Sequence, residues 1–184
     1  RSSDLPDIPG LESFAGTAMH TARWDTGVDL RGKRVGVIGN GSTGVQMVTH
    51  LGKQGQDVVH FQRSPQWVMP YPNFAYSDED RARFRADRDA IEAIRQDPTY
   101  WSNVRRFTSG VVDIESPRMK EIEDACLQYL ETAVTDVALR EKLRPTYRAA
   151  CKRLIYSFDY YTVAQQPNVE TVVCGIEKIV TEGV

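Results

Sequence analysis

A glycine-rich hexapeptide is the part of this sequence best suited to specific chemistry. It has the pattern G-x-G-x-x-G and consists of Gly39, Asn40, Gly41, Ser42, Thr43 and Gly44. In such a loop the first glycine permits a tight turn, the second lets a phosphate approach the backbone, and the third lets a helix pack closely on a strand. The N-terminus of the following helix attracts the phosphates. The spacing predicts a dinucleotide-phosphate site, and Gln46 on that helix is assigned to the same site.

The segments around the loop supply the frame that such a site requires. Arg34–Gly39 is a short, apolar, β-branched run that predicts a buried parallel strand. Thr43–Lys53 has apolar residues at spacings of three, which suits one face of a helix on a sheet. Asp57–Arg63 is a second apolar strand, so residues 34–63 predict a compact βαβ unit. The alternative, a chance glycine cluster in a turn, does not account for this frame.

The end of the second strand indicates which dinucleotide fits. NAD-specific units usually carry an acidic residue about twenty positions after the loop, because a carboxylate accepts hydrogen bonds from the ribose hydroxyls. Here the strand ends in Arg63 and Ser64, and a guanidinium and a hydroxyl suit a 2′-phosphate instead. The sequence therefore predicts NADPH in preference to NADH. The alternative is that Arg63 only caps the strand in solvent, and His60 within the strand is expected to pack without a chemical role.

A second motif precedes the first predicted strand. Its fixed positions are Phe14, Gly16, His20, Trp24 and Asp25. From the residues alone, Gly16 permits an unusual backbone angle, and Phe14 and Trp24 can anchor a linker on a domain. His20 is expected to be a hydrogen-bonded structural histidine and not a catalyst. These positions match the fingerprint F-x-G-x-x-x-H-x-x-x-W-[P/D], so the segment resembles the Baeyer–Villiger monooxygenases.

Later segments extend this resemblance to most of the chain outside a helical region. They are His60–Pro65, Lys152–Leu154, Asp159–Tyr161 and Pro167–Val169. The resemblance implies that Lys152 helps to hold the 2′-phosphate, and that Arg153 stands over the flavin and stabilises its negatively charged peroxide. From residue types alone, two adjacent cations are solvated surface groups.

The resemblance implies an enzyme that uses NADPH and FAD. Such an enzyme inserts one oxygen atom of O₂ into a ketone through a peroxyflavin and forms an ester or a lactone. FAD would be bound by a partner FAD-binding domain absent from this chain, so the chain alone is expected to be inactive. Two alternatives stay open: an N- or S-oxygenating flavin monooxygenase, and a stand-alone NADPH-binding module without catalysis. Trp24 and Asp25 favour the Baeyer–Villiger group, since the N- and S-oxidising relatives usually have a different aromatic residue at the position of Trp24.

Composition excludes several other classes of protein. The 184 residues carry 23 basic and 25 acidic side chains, a net charge of −2 that gives no general attraction to nucleic acid or to an anionic membrane. The three cysteines form no CxxC or Cys/His cluster, so no metal site is expected and they are expected to be reduced thiols of a cytoplasmic protein. No apolar run approaches the ~20 residues that span a bilayer.

The expected fold class is α/β, a Rossmann-like parallel βαβ NADP-binding domain with an inserted α-helical segment. Residues 1–33 are a linker that carries the signature motif, residues 34–69 and 146–184 form the NADP-binding domain, and residues 70–145 form the insertion. The sequence predicts helices after Ser77, after Ser116 and over 136–143, and further strands over 169–174 and 176–180.

Overall fold

The computed structural model describes residues 4–184, apart from the side chain of residue 106. The strands are β1 (Arg34–Ile38), β2 (Asp57–Gln62), β3 (Val68–Met69), β4 (Ile155–Tyr156) and β5 (Val169–Val173). The helices are α1 (Ser42–Lys53), α2 (Asp78–Ala86), α3 (Asp89–Arg95), α4 (Pro98–Val112), α5 (Pro117–Ala133), α6 (Val137–Lys142) and α7 (Tyr160–Val163).

A three-stranded parallel sheet in the order β1-β2-β5 carries the candidate site. The central strand β2 buries the consecutive residues Val58, Val59 and His60, as expected of a parallel strand that is covered on both faces. Helix α1 lies between β1 and β2 in the sequence and buries Val45 and Val48. The predicted α/β, Rossmann-like fold with a parallel sheet and a helical insert is confirmed.

The chain divides into two compact units. The first unit comprises Arg1–Gln66, Leu130–Thr146 and Asp159–Val184, and it contains the three-stranded sheet. The second unit comprises Trp67–Tyr129 and Tyr147–Phe158, and it contains α2 to α4, most of α5 and the short parallel pair β3-β4. The buried core of the second unit consists of Trp67, Met119, Cys126, Ala149 and Leu154. No helix within the described residues is both long enough and apolar enough to cross a bilayer.

Three details of the predicted secondary structure differ from the structure. The first strand was predicted to be buried, but the residues of β1 are exposed or half-buried, because β1 lies at the edge of the described three-stranded sheet. The single helix expected after Ser77 is divided into α2 and α3, because Asp87 adopts an extended conformation and accepts a hydrogen bond from the Asp89 backbone N–H. The predicted strand over 176–180 is wrong. Its backbone instead bonds to the N-terminal segment, where Ile179 N–H donates to Pro9 O at 2.8 Å, and to a tight turn at Val180 and Gly183.

Candidate dinucleotide-binding site

The glycine loop forms the connection between β1 and α1. Gly39 has a φ angle of 101°, in the left-handed region that glycine adopts without a steric penalty. Gly41 is the N-cap residue of α1 and has an extended backbone, with no side chain to cap the helix. The first-turn N–H groups of a helix have no partners within the helix, so those of α1 can receive an anion.

Two of the loop glycines differ in the space around them. A Cβ atom at position 44 would lie 2.0 Å from the carbonyl oxygen of Gly39, so Gly44 is needed for the chain to pack against itself. A Cβ atom at position 41 would meet nothing within 4 Å. The space beside Gly41 is therefore open and fits the approach of a phosphate group to the backbone.

Asn40 joins the loop to the end of β2. Its Nδ2 donates to Gln62 Oε1 at 2.6 Å and to the backbone oxygen of Ser64 at 2.7 Å. The structure thus brings together two features that are about twenty residues apart in sequence: the glycine loop and the segment of Arg63 and Ser64. The loop pattern predicts Asn40 only as a variable position and gives no sign of this bridge.

The Arg63 side chain is exposed next to this bridge. Among the described residues, its guanidinium forms neither an ion pair nor a hydrogen bond, so no protein carboxylate compensates its charge. A guanidinium in this state can bind a phosphate through two parallel N–H donors. Ser64 is half-buried, Ser42 is half-buried, and Thr43 and Gln46 are exposed at the start of α1.

Sequence patterns did not indicate Tyr160 at this site, and they indicated His60 only as a packing residue. His60 is fully buried, with Nε2 at 3.1 Å from Gly39 O and Nδ1 at 3.2 Å from the Tyr160 hydroxyl oxygen. Gln62 Nε2 donates to the same hydroxyl oxygen at 3.4 Å. Burial lowers the pKa of His60, opposed by its hydrogen bond to Gly39, and burial raises the pKa of Tyr160. The available signal was two polar residues, His60 and Gln62, on one face of an apolar strand.

Lys152 and Arg153 lie in the second unit, whereas the glycine loop lies in the first. The Lys152 Nζ stands 4.5 Å from the centre of the Tyr147 ring, within range of a cation–π interaction. Arg153 is exposed and has no ion pair within the described part of the chain. Ala150, just before them, has a φ angle of 65°, an uncommon conformation for a residue with a Cβ atom.

The residues of the signature motif make local contacts. The Phe14 ring covers Gly16, where a Cβ atom would lie 2.5 Å from the ring. His20 Nδ1 accepts from the Ala22 backbone N–H at 3.1 Å and so caps the 3₁₀ turn Thr21–Arg23. Asp25 Oδ1 accepts from the Gly27 backbone N–H at 2.8 Å, and Trp24 remains 39% exposed.

Other parts of the molecule offer less specific features. A shallow groove of about 540 Å³ lies on α4 in the second unit, and no predicted site residue lines it. Among residues 4–184 no group of three histidine, cysteine or acidic side chains is placed to hold a metal ion. The three cysteines are free thiols, and burial raises the pKa of Cys126 to about 12.

Comparison with known proteins places these features in a family. Residues 3–75 match the model of the flavin-binding monooxygenase-like family. A Baeyer–Villiger monooxygenase of Streptomyces coelicolor is 36% identical over 175 residues, which is 95% of this chain and 33% of that protein. The chain therefore spans about a third of the length of this relative.

Two solved structures share the fold over nearly the whole chain. The crystal structure of OTEMO in complex with FAD and NADP has a TM-score of 0.73 and 28% identity, covering 100% of this chain and 42% of that one. A cyclohexanone-bound cyclohexanone monooxygenase has a TM-score of 0.76 and 26% identity, covering 98% of this chain and 42% of that one. Residues 3–75 therefore match the flavin-binding monooxygenase-like family, and the chain is a homologue of part of the Baeyer–Villiger monooxygenases.

Proposed function

We propose that this chain is the NADPH-binding part of an FAD- and NADPH-dependent Baeyer–Villiger monooxygenase. The observation that carries the proposal is the Asn40 bridge, which fixes the glycine loop beside the segment of Arg63 and Ser64. A helix N-terminus suited to a pyrophosphate and a guanidinium suited to a 2′-phosphate are thus held in one place. Both anionic groups occur together in NADP(H) and not in NAD(H).

The residues divide the binding of NADPH among them. The backbone N–H groups from Gly41 to Gly44 receive the pyrophosphate at the start of α1, with Gln46 on the next turn. Arg63 and Ser64 take the 2′-phosphate, and Lys152 adds a further cation for it. The open side of Gly41 and the uncompensated charge of Arg63 support this assignment.

The chemistry of the whole protein needs more than these residues. When bound, NADPH would supply a hydride, and FAD held by another part of the enzyme would use it to activate O₂. One oxygen atom would then enter the ketone to give an ester or a lactone, and the other, with a proton from solvent, would leave as water. In that reaction Arg153 supplies a fixed positive charge that stabilises negative charge on the reacting oxygen. The homologues solved with FAD, NADP and cyclohexanone support this proposal.

Calorimetry of the chain with NADPH and with NADH tests the cofactor assignment. A hydrogen bond to a charged group contributes roughly 1.5–3 kcal/mol. Arg63→Ala should therefore weaken NADPH about ten- to a hundredfold and leave NADH little changed. Arg31→Ala is the matched control, because it removes another exposed arginine of the first unit, one that pairs with Asp29. Equal losses for both cofactors in Arg63→Ala would contradict a 2′-phosphate role.

A further inference from the structure

A row of buried polar side chains lies behind the glycine loop. His60 and Gln62 of β2 are 0% and 2% exposed, and Tyr160 of α7 is 3% exposed. Polar groups buried to this degree cost free energy unless each is hydrogen-bonded. Here the three side chains are hydrogen-bonded to one another and to the glycine loop, so their burial is compensated.

Chemical complementarity fixes the direction of each hydrogen bond in the row. The Gly39 carbonyl can only accept, so His60 carries its proton on Nε2 and donates to it. His60 Nδ1 then accepts, and the Tyr160 hydroxyl donates to it. The Tyr160 oxygen accepts from Gln62 Nε2, and Gln62 Oε1 accepts from Asn40 Nδ2. We call this series, from Asn40 through Gln62, Tyr160 and His60 to Gly39, the loop circuit.

The loop circuit begins and ends on two consecutive residues of the glycine loop. Because a peptide unit is planar, fixing the carbonyl of Gly39 also fixes the direction of the Asn40 backbone N–H on the same peptide. The carbonyl is held between the His60 ring and the Cα of Gly44, where no Cβ atom would fit. Glycine permits many backbone conformations, and at Gly39 the observed one is left-handed. These contacts therefore select one orientation of the Gly39–Asn40 peptide.

We propose that His60 and Tyr160 are positioning residues of the dinucleotide site, which orient the Gly39–Asn40 peptide of the loop for the pyrophosphate through the loop circuit. The inference rests on the proposed function and deepens it, since it assigns a binding role to residues remote from the ligand. His60 acts as a neutral ring with one tautomer. Its role is distinct from filling the core, because an apolar ring of similar size could do that.

Ligand binding to the full chain tests the role of His60. His60→Phe should weaken NADP⁺ about three- to tenfold, the range expected for one hydrogen bond. The binding of adenosine 2′-phosphate, which carries no pyrophosphate, should change less than twofold. His60→Gln should restore NADP⁺ binding, because the glutamine side chain can place an N–H where the His60 Nε2 lies. The shorter asparagine side chain cannot, so His60→Asn should not restore binding. Equal weakening of both ligands by His60→Phe would overturn the proposal.

Two further variants separate positioning from loss of stability. Tyr160→Phe keeps the ring and removes only the hydroxyl, so it should weaken NADP⁺ in the same selective way. Val58→Ala is the matched control, because it removes buried volume from the same strand without removing any hydrogen bond of the loop circuit. It should lower the melting temperature and leave the ratio of the two ligand affinities unchanged. If Val58→Ala changed the ratio of the two ligand affinities as much as His60→Phe does, the proposal would be overturned.

Measurements without any cofactor test the loop circuit independently of NADP⁺ binding. The imidazole ¹⁵N shifts of His60 should report a single Nε2–H tautomer, and His60→Phe should speed amide hydrogen exchange over residues 40–44 more than Val58→Ala does. A tautomer mixture or unchanged exchange would overturn the loop circuit, even if NADP⁺ binds. Failure of the wild-type chain to bind NADP⁺ would instead overturn the proposed function and, with it, the role of the circuit in the site.

Discussion

At the scale of single residues, His60 shows how a polar side chain can be kept uncharged inside a parallel sheet. It lies at the centre of β2, opposite Val37 of β1 and Thr171 of β5, and it is fully buried. A charged ring would lack hydration at this buried position. It would also place a second N–H against the Tyr160 hydroxyl, which already donates to the ring. Burial is accordingly the main cause that lowers the pKa of His60.

This lowered pKa predicts a dependence of stability on pH. Below the usual histidine pKa of about 6.5 the unfolded chain takes up a proton that folded His60 does not, so the free energy of unfolding falls as the pH decreases. The slope is at most about 1.4 kcal/mol per pH unit. His60→Gln should remove this component between about pH 6.5 and 5. Chemical denaturation of both proteins across that range measures it, and His20 and His50 are retained in both. The same pH slope in both would show that folded His60 titrates normally.

The partners of His60 could not be predicted from the sequence. Burial of the residue follows from its place in an apolar strand, but Tyr160 lies 100 residues away, beyond the helical region. The roles of Arg63 and the glycine loop are different, because motif spacing alone predicts them. Local spacing specifies the residues that would touch the ligand, whereas long-range packing determines which residues hold them in place.

At the scale of elements, the predicted ends of β1, α1 and β2 each lie within one residue of the observed ends. An apolar strand, a glycine turn and a helix with one apolar face all favour the same local structure there. Helix α4 was not predicted, although Asp97 and Pro98 were a readable start signal: the Asp97 side chain accepts from the Thr99 N–H, and proline occupies the first turn. The strand expected over 176–180 is wrong, because Ile179 bonds to Pro9 in the N-terminal segment and Val180 bonds to Gly183 in a tight turn.

The junction of β1 and α1 predicts opposite behaviour for two glycine variants. Gly44→Ala places a Cβ atom against the Gly39 carbonyl, so it should destabilise the chain by about 1–3 kcal/mol or more. Gly41→Ala has open space and an ordinary backbone conformation, so its melting temperature should be close to that of the wild type. It should nevertheless lose NADP⁺ affinity, because the methyl group occupies the space of the pyrophosphate. Thermal melts and calorimetry of both variants measure this, and a stable Gly44→Ala protein would contradict the packing role.

At the scale of the whole molecule, the candidate site residues belong to two units. The glycine loop, Arg63 and Ser64 lie in the first unit, and Lys152 and Arg153 lie in the second. The residue types of the last two do not distinguish them from solvated cations, and their assignment depends on the family resemblance. The chain spans about a third of the length of its Streptomyces coelicolor relative, so the roles proposed for these cations concern a longer enzyme.

A last prediction separates the two adjacent cations in the proposed flavin-dependent enzyme. A fixed guanidinium in a water-poor site stabilises negative charge on the reacting oxygen far more than it would in bulk solvent. Transfer of hydride from NADPH needs no such charge. Arg153→Ala should therefore still consume NADPH but release hydrogen peroxide, and its yield of ester per NADPH should fall about 100-fold or more.

Lys152→Ala should behave differently, because the proposed role of its charge is to hold the cofactor. It should raise the apparent KM for NADPH about tenfold and leave the yield of ester per NADPH unchanged. Arg118→Ala is the control, since it removes an exposed arginine of the second unit that pairs with Glu121 on the same helix. NADPH oxidation and ester formation are measured in the same reaction for all three variants. A near-normal yield of ester in Arg153→Ala would show that Arg153 does not stabilise the reacting oxygen, and that its charge serves another purpose.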